Sequence, residues 1–243
     1  MIVHIVNPFN APKDRDIYWQ QPITFKTMKV AKKFAKGISI KHVAVVYPED
    51  ENMVPDFFDE CFFLKRSTIG KFRIERKLPY LKDIIEKAYS LDAKYIIYTN
   101  VDIGLTENFY NFVWEKIKNG TDGMSITRMN VQTETILKGA DHPGHDCFVF
   151  KNGMEILWGD VCIGVPFVCQ PVIFSMMKFS KNFEIIRNSG TTFHVGNDMI
   201  WKNRKYSDYR KYNVDEVKKI MWHFSDFDNP YINKIRERLK NEG

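Results

Sequence analysis

The sequence predicts an α/β protein: a mostly parallel central sheet flanked by helices, with a helical appendage at the C-terminal end. Three observations predict it. Short runs of Ile, Val and Tyr, without the alternation of a half-exposed strand, recur at residues 2–6, 43–47 and 95–99; such runs suit strands buried on both faces. Segments with helical apolar spacing separate them, giving the β–α–β–α–β order of a parallel sheet. The run at 95–99 breaks off into Thr99, Asn100, Val101 and Asp102, and open α/β sheets place their ligands just past the carboxyl ends of such strands.

In chain order, residues 2–6 form the first strand, leaving through Asn7, Pro8 and Phe9. Residues 24–35 predict an amphipathic helix with lysines on its outer face, closed by Gly37. Strands follow at 43–47 and 61–64, with an acidic loop over 50–59 between them and Arg66 just beyond. A helix opens at Leu78-Pro79, since Pro is tolerated in a first helical turn, and carries Asp83. After the strand at 95–99, Thr106 is the expected N-cap of a helix reaching Lys118. A short strand is expected at 122–127, a polar and mobile stretch at 130–140, and a buried strand at 147–150. An apolar segment then runs to Met177, with a late strand through Thr192, Phe193 and His194. The tail from 215 to 239 reads as basic helix. No repeat or flexible linker interrupts the chain. The simplest division is one domain over 1–205 and a helical extension over 206–243.

Composition narrows the function classes. With 44% hydrophobic and 27% charged residues, the chain is of ordinary globular type. A net charge of +6 suits an anionic partner: a phosphorylated metabolite, nucleic acid or an acidic membrane surface. The four cysteines lack CxxC spacing. Cys61 and Cys147 lie in apolar runs, so reduced core thiols are expected rather than zinc or disulfides. No apolar run approaches a membrane span and the N-terminus lacks a leader pattern, so a soluble cytoplasmic protein is expected.

No Gly-x-Gly-x-x-Gly follows the first strand, and no Gly-x4-Gly-Lys-Ser/Thr or Gly-x-Ser-x-Gly occurs. A nucleotide bound here needs another way to neutralise its phosphates. Asp102 beside Asn100 could do this by holding a divalent cation. It could equally be a turn residue.

The order of elements, with Asn100-Val101-Asp102 after a mid-chain strand and His194 in a late one, resembles the nucleotide-sugar-dependent glycosyltransferases of the GT-A fold. The resemblance covers about residues 1–200. It implies a sugar moved from a nucleoside diphosphate, UDP first among them, to an acceptor hydroxyl on a glycan or other molecule. It also implies Mn2+ or Mg2+ held by Asp102 and His194, although Asn100 replaces the first acid of the usual Asp-x-Asp. Asn7, Pro8, Phe9, Arg66 and Asp83 would line the base, ribose or diphosphate, with Asn100 and Asp102 beside them. The base that deprotonates the acceptor would be Asp146 in Pro-Gly-His-Asp or Asp160 in Trp-Gly-Asp. Trp158 and Trp201 are candidate sugar platforms, and Asp198 could support His194. His142 and His145 flank Gly144 without an evident third metal ligand. One alternative is a sugar nucleotidyltransferase, which usually has a glycine-rich loop where this chain has Asn7 to Lys13. Another is a non-catalytic binder of nucleic acid or charged glycan using the lysine-rich helices; for the enzyme, no nucleic-acid partner is expected and peripheral membrane contact stays open.

Overall fold

The computed structural model describes residues 1–196 and 206–242. The chain divides into two compact units. The first comprises Met1–Leu64, Ile84–Met154 and Ser180–Asp198; the second comprises Lys65–Asp83, Glu155–Phe179 and Met199–Gly243. Asp198, Trp201 and the expected division after residue 205 fall at or within positions outside the described residues. Among the described residues no helix is long and apolar enough to cross a membrane.

The first unit is built on a mixed sheet. β1 (Ile2–Val6) is buried at every position and pairs in parallel with β2 (Ile40–Val46) on one side and β4 (Tyr95–Thr99) on the other. β3 (Glu60–Phe63) extends the parallel edge beyond β2. The other side of β4 takes β7 (Ile136–Lys151) in antiparallel register, Thr99 opposite Cys147. Beyond it lies β6 (Gly123–Thr133), which pairs in parallel with both β8 (Phe183–Ile186) and β9 (Thr192–Val195). β5 (Gly104–Leu105) closes this edge against β9. Gly104 lies so close to Phe193 that a Cβ would stand 2.4 Å from the ring. The parallel pairs outnumber the antiparallel ones, as the apolar runs predict; β7 is the antiparallel insertion that they do not announce.

Several expectations are corrected. The stretch 130–140 is paired backbone of a long β6–β7 hairpin rather than a mobile loop. Its outer part is largely exposed, and ladder hydrogen bonds need no apolar side chains. Between Thr127↔His145 and Arg128↔His142 the register skips, leaving Pro143 and Gly144 in a bulge, where a strand tolerates proline. Helix α1 (Asp16–Phe34) starts well before residue 24 and runs through Pro22. The preceding glutamines tie it down: Gln21 exchanges two hydrogen bonds with the Phe9 backbone at 3.1 and 2.9 Å, and Gln20 donates to the Val195 carbonyl. Helix α2 (Leu81–Tyr89) begins after Tyr80, which bridges to Cys162. Helix α3 (Phe109–Lys118) has Asn108 rather than Thr106 at its N-cap position; the Thr106 N–H and hydroxyl both turn to the Thr191 carbonyl, at 2.9 and 3.4 Å. Cys61 is exposed rather than in the core; Cys147 and Cys162 are buried, and all four thiols are free.

The second unit holds α4 (Gln170–Phe179), α5 (Ser207–Ile220) and α6 (Pro230–Lys240). The tail is thus two helices, not one. The Asn229 side chain caps α6 by accepting from Tyr231 N (2.9 Å) and Ile232 N (3.3 Å), with Pro230 in the first turn. This is an Asn-Pro start signal readable in the sequence.

Candidate functional site

β4 delivers its last residues to a polar centre in the first unit. Asn100 follows the strand directly: its N–H donates to the Asp146 carbonyl (3.2 Å) and its Nδ2 to Asp146 Oδ1 (2.9 Å). Tyr98 donates its hydroxyl to Asn100 Oδ1 at 3.1 Å, so the side-chain amide is held from both ends. The other Asp146 oxygen accepts from Arg128 Nη1 at 2.6 Å. Arg128 comes from β6 beside the bulge. Gly144 is required within the bulge, since a Cβ there would meet His142 Nδ1 at 2.6 Å. The Gly144 N–H donates to that same nitrogen at 2.9 Å.

Two residues beyond Asn100, Asp102 turns inward and meets His194 from β9, with Oδ2 and Nε2 3.4 Å apart. Asn130 on β6 stands in register with His194. Asp102 Oδ1 and His194 Nδ1 are both buried without a hydrogen-bond partner among the described residues. Burial alone pushes the Asp102 carboxyl up. The neighbouring His194, with the Arg128 guanidinium beyond, outweighs it and holds Asp102 below the usual carboxylate range. Gln20 Nε2 lies 3.4 Å from His194 Nε2.

These atoms can accommodate a divalent cation. Unpaired buried polar atoms are costly, so a carboxylate oxygen left bare beside an imidazole is in the state a bound ligand would relieve. A separation of 3.4 Å is long for a hydrogen bond; adjacent ligands about 2.1 Å from one octahedral cation stand about 3.0 Å apart, so the two side chains lie near, and slightly outside, the spacing of a shared ion. Among the described residues no group of three or more His, Cys, Asp and Glu could hold a metal. Asp102 and His194 would therefore supply two positions, and oxygens of a bound molecule the rest.

His142 and His145 do not form a metal pair. His145 Nδ1 is bonded to Ser125 Oγ at 2.7 Å, and burial with the Arg187 charge pushes its pKa down to about 4 against the pull of Asp146. Burial and then Arg128 lower His142 as well. The Asn7 side chain donates to the Val45 carbonyl at 2.5 Å. Pro8 is buried and Phe9 half-buried, its backbone fastened to Gln21.

A second set of expected residues gathers in the second unit. Arg66 donates to both Asp83 oxygens (3.0 and 2.6 Å) and to both Asp160 oxygens at 3.2 Å. Its guanidinium lies 4.8 Å from the Tyr80 ring centre. The bonds to Asp83 and then Asp160 hold Arg66 firmly protonated. Asp160 is anchored through its N–H to Glu216 Oε2 at 2.9 Å. Arg128, like Gln20, Tyr98 and Glu216, is a residue that sequence reading missed. A single arginine in a polar stretch gives no signal; its partner Asp146 is close only because β6 and β7 pair.

No protein-family model and no curated protein matches the chain. Solved structures do. A fragment of S. aureus TarS, residues 1–349 in complex with UDP-GlcNAc, superposes with a TM-score of 0.55 at 8% identity, covering 99% of this chain and 72% of the fragment. The fold is GT-A-like. The UDP complex of the same fragment gives 0.53 at 8% identity, over 99% of this chain and 70% of that one. A longer TarS structure is matched over 43% of its length, with a TM-score of 0.55. A 4-diphosphocytidyl-2C-methyl-D-erythritol synthase from Anaerococcus prevotii is 9% identical over 87% of this chain and 97% of its own, at a TM-score of 0.43, too low to bear on function.

Proposed function

We propose that the chain is a metal-dependent glycosyltransferase that moves a sugar from a nucleoside diphosphate, a UDP-sugar first among the candidates, to an acceptor hydroxyl. One observation carries the reading: at the exit of a central strand Asp102 Oδ2 faces His194 Nε2 at 3.4 Å, while the buried Asp102 Oδ1 has no partner among the described residues, in a GT-A-like fold whose structural neighbours are complexes with UDP and UDP-GlcNAc.

In this reading Asp102 and His194 hold Mn2+ or Mg2+, and the ion offsets charge on the departing diphosphate. Arg128 adds a fixed positive charge on the same side, and Asp146 with Asn100 keeps it aimed. Asp146 is thereby a positioning residue: both its oxygens accept strong hydrogen bonds, one from a cation at 2.6 Å. Asp160 is the better candidate for the base. It is 38% exposed at the side chain, so a hydroxyl can reach it, and its bonds to Arg66 are longer than those of Asp83. Asn7, Pro8 and Phe9 offer a rigid exit from β1 for the base or ribose. Cytoplasmic action remains part of the proposal, as does an acceptor of glycan type.

Calorimetric titration of UDP and UDP-sugars with and without Mn2+ tests it. Binding that requires the metal, with release of UDP when an acceptor is added, is the expected result. Absence of nucleotide binding in either condition would reject the reading.

A further inference from the structure

Charge is distributed unevenly between the two compact units. The second unit carries 19 Lys and Arg against 11 Asp and Glu, a net of +8, whereas the first carries 17 against 19, a net of −2. The whole-chain figure of +6 therefore hides a basic unit joined to a slightly acidic one. The proposed donor site needs no such excess, because its cationic groups sit in the first unit.

Among the described residues the basic unit also exposes two large apolar side chains, Trp222 at 68% and Ile69 at 49%. Single exposed apolar residues are common; here each stands among basic ones. On α5 the exposed positions Lys211, Asp215 and Lys218 continue at helical spacing into Trp222, with Lys219 alongside. Trp222 is not a loose side chain. It stacks on His223 with ring centres 3.5 Å apart, and the His223 carbonyl accepts from Lys178. Phe224, two residues on, is fully buried against Phe174, ring centres 5.5 Å apart. Arg236 fastens the Phe224 carbonyl at 2.9 Å. The turn is thus anchored from below and holds the indole outward. Ile69 likewise stands in a segment with exposed Lys65, Lys71 and Arg73.

We infer that the second unit docks on an anionic lipid surface, with lysines of α5 meeting headgroups and Trp222 entering the interface. Basic residues gain from the negative surface potential of such a membrane, and Trp is the side chain suited to the boundary between headgroup and hydrocarbon. A soluble polyanion could also use the lysines and stack on Trp222, and the heparin and oligonucleotide arms of the test separate it from the membrane. The inference does not depend on the donor chemistry.

Co-sedimentation of the full chain with vesicles of phosphatidylcholine, alone and mixed with phosphatidylglycerol, is the test. Binding to the mixed vesicles only, weakened by salt, is expected. The double variant K211E/K218E should lose about tenfold or more in vesicle affinity, each charge counting separately. W222A should weaken binding several-fold while leaving its salt dependence unchanged. Both substitutions are at exposed positions, and unchanged melting temperatures confirm folding. No sedimentation with anionic vesicles at low salt overturns the inference. So does W222A binding like the unaltered chain, or heparin or an oligonucleotide being bound more tightly than the vesicles with Trp222 dispensable.

Discussion

Two acidic centres of this molecule differ in one respect. Around Arg66 every carboxylate oxygen of Asp83 and Asp160 accepts a hydrogen bond from the guanidinium. Around Asp102 a buried oxygen has no partner among the described residues, and neither has the far nitrogen of His194. The first centre is complete in the free protein; the second is not. A satisfied ion pair holds a local structure, whereas a buried atom left bare represents a cost that folding alone does not recover. On the proposed reading, the difference gives Asp102 the ligand-binding role and the Arg66 cluster a structural or proton-accepting one.

The sharpest way to break this comparison is D102A. It should remove metal-dependent nucleotide binding and reduce transfer to background, read by calorimetry and a UDP-release assay. The melting temperature should stay level or rise, because an unpaired buried oxygen is removed. Normal binding by D102A would defeat the assignment. Next comes D160N, expected to lower kcat about 10²-fold or more, the range for loss of a general base, with donor affinity kept. D146N should act in the opposite sense, weakening donor binding through a loosened Arg128 while affecting kcat less. A reversed pattern would move the base to Asp146.

A smaller effect concerns acid stability. His4 and His42 are buried and share the Tyr110 hydroxyl, at 2.7 and 2.8 Å, and His4 also reaches Thr99 Oγ1 at 2.9 Å. Burial, then the Lys32 charge, lowers the His42 pKa to about 3, against the opposing pull of Asp59. Unfolding lets that group bind a proton that the folded state refuses. Stability from the neutral ring is therefore full above the unfolded pKa near 6.5 and falls as pH drops below it, toward the folded value. One such histidine is worth about 2 kcal/mol between pH 7.5 and pH 5. Urea midpoints at the two pH values check this, and H42N should flatten the slope. The smallest change is expected of D83N: Arg66 is half exposed, so losing one partner should cost only about 0.5 kcal/mol. A large loss of melting temperature would show the cluster to be more than a surface pair.

Much of this was legible in the chain. The uniformly apolar runs of β1, β2 and β4 located the parallel half of the sheet, and the break after Thr99 pointed to Asp102. Boundaries were less visible. The apolar spacing starts the first helix at residue 24, yet α1 begins at Asp16 and passes through Pro22, with Gln20 and Gln21 bonded to backbone 175 and 12 residues away in sequence. The polar hairpin over 130–140 looks like a loop because ladder pairing leaves no apolar signature where both faces are wet.

The sequence by itself determined the order of elements, the absence of a glycine phosphate cradle and the few acidic and histidine residues able to do chemistry. Those properties are local: periodicity, composition and chain breaks are set within a dozen residues. Only the tertiary structure decided which of those residues meet. Asp102 reaches His194 because β5 and β6 both pair with β9, Asp146 engages Asn100 across 46 residues, and Asp160 joins Arg66 across 94. Side-chain chemistry at such separations depends on strand register and on the bulge at Pro143 and Gly144, and backbone pairing of that kind is not encoded in the spacing of any single segment.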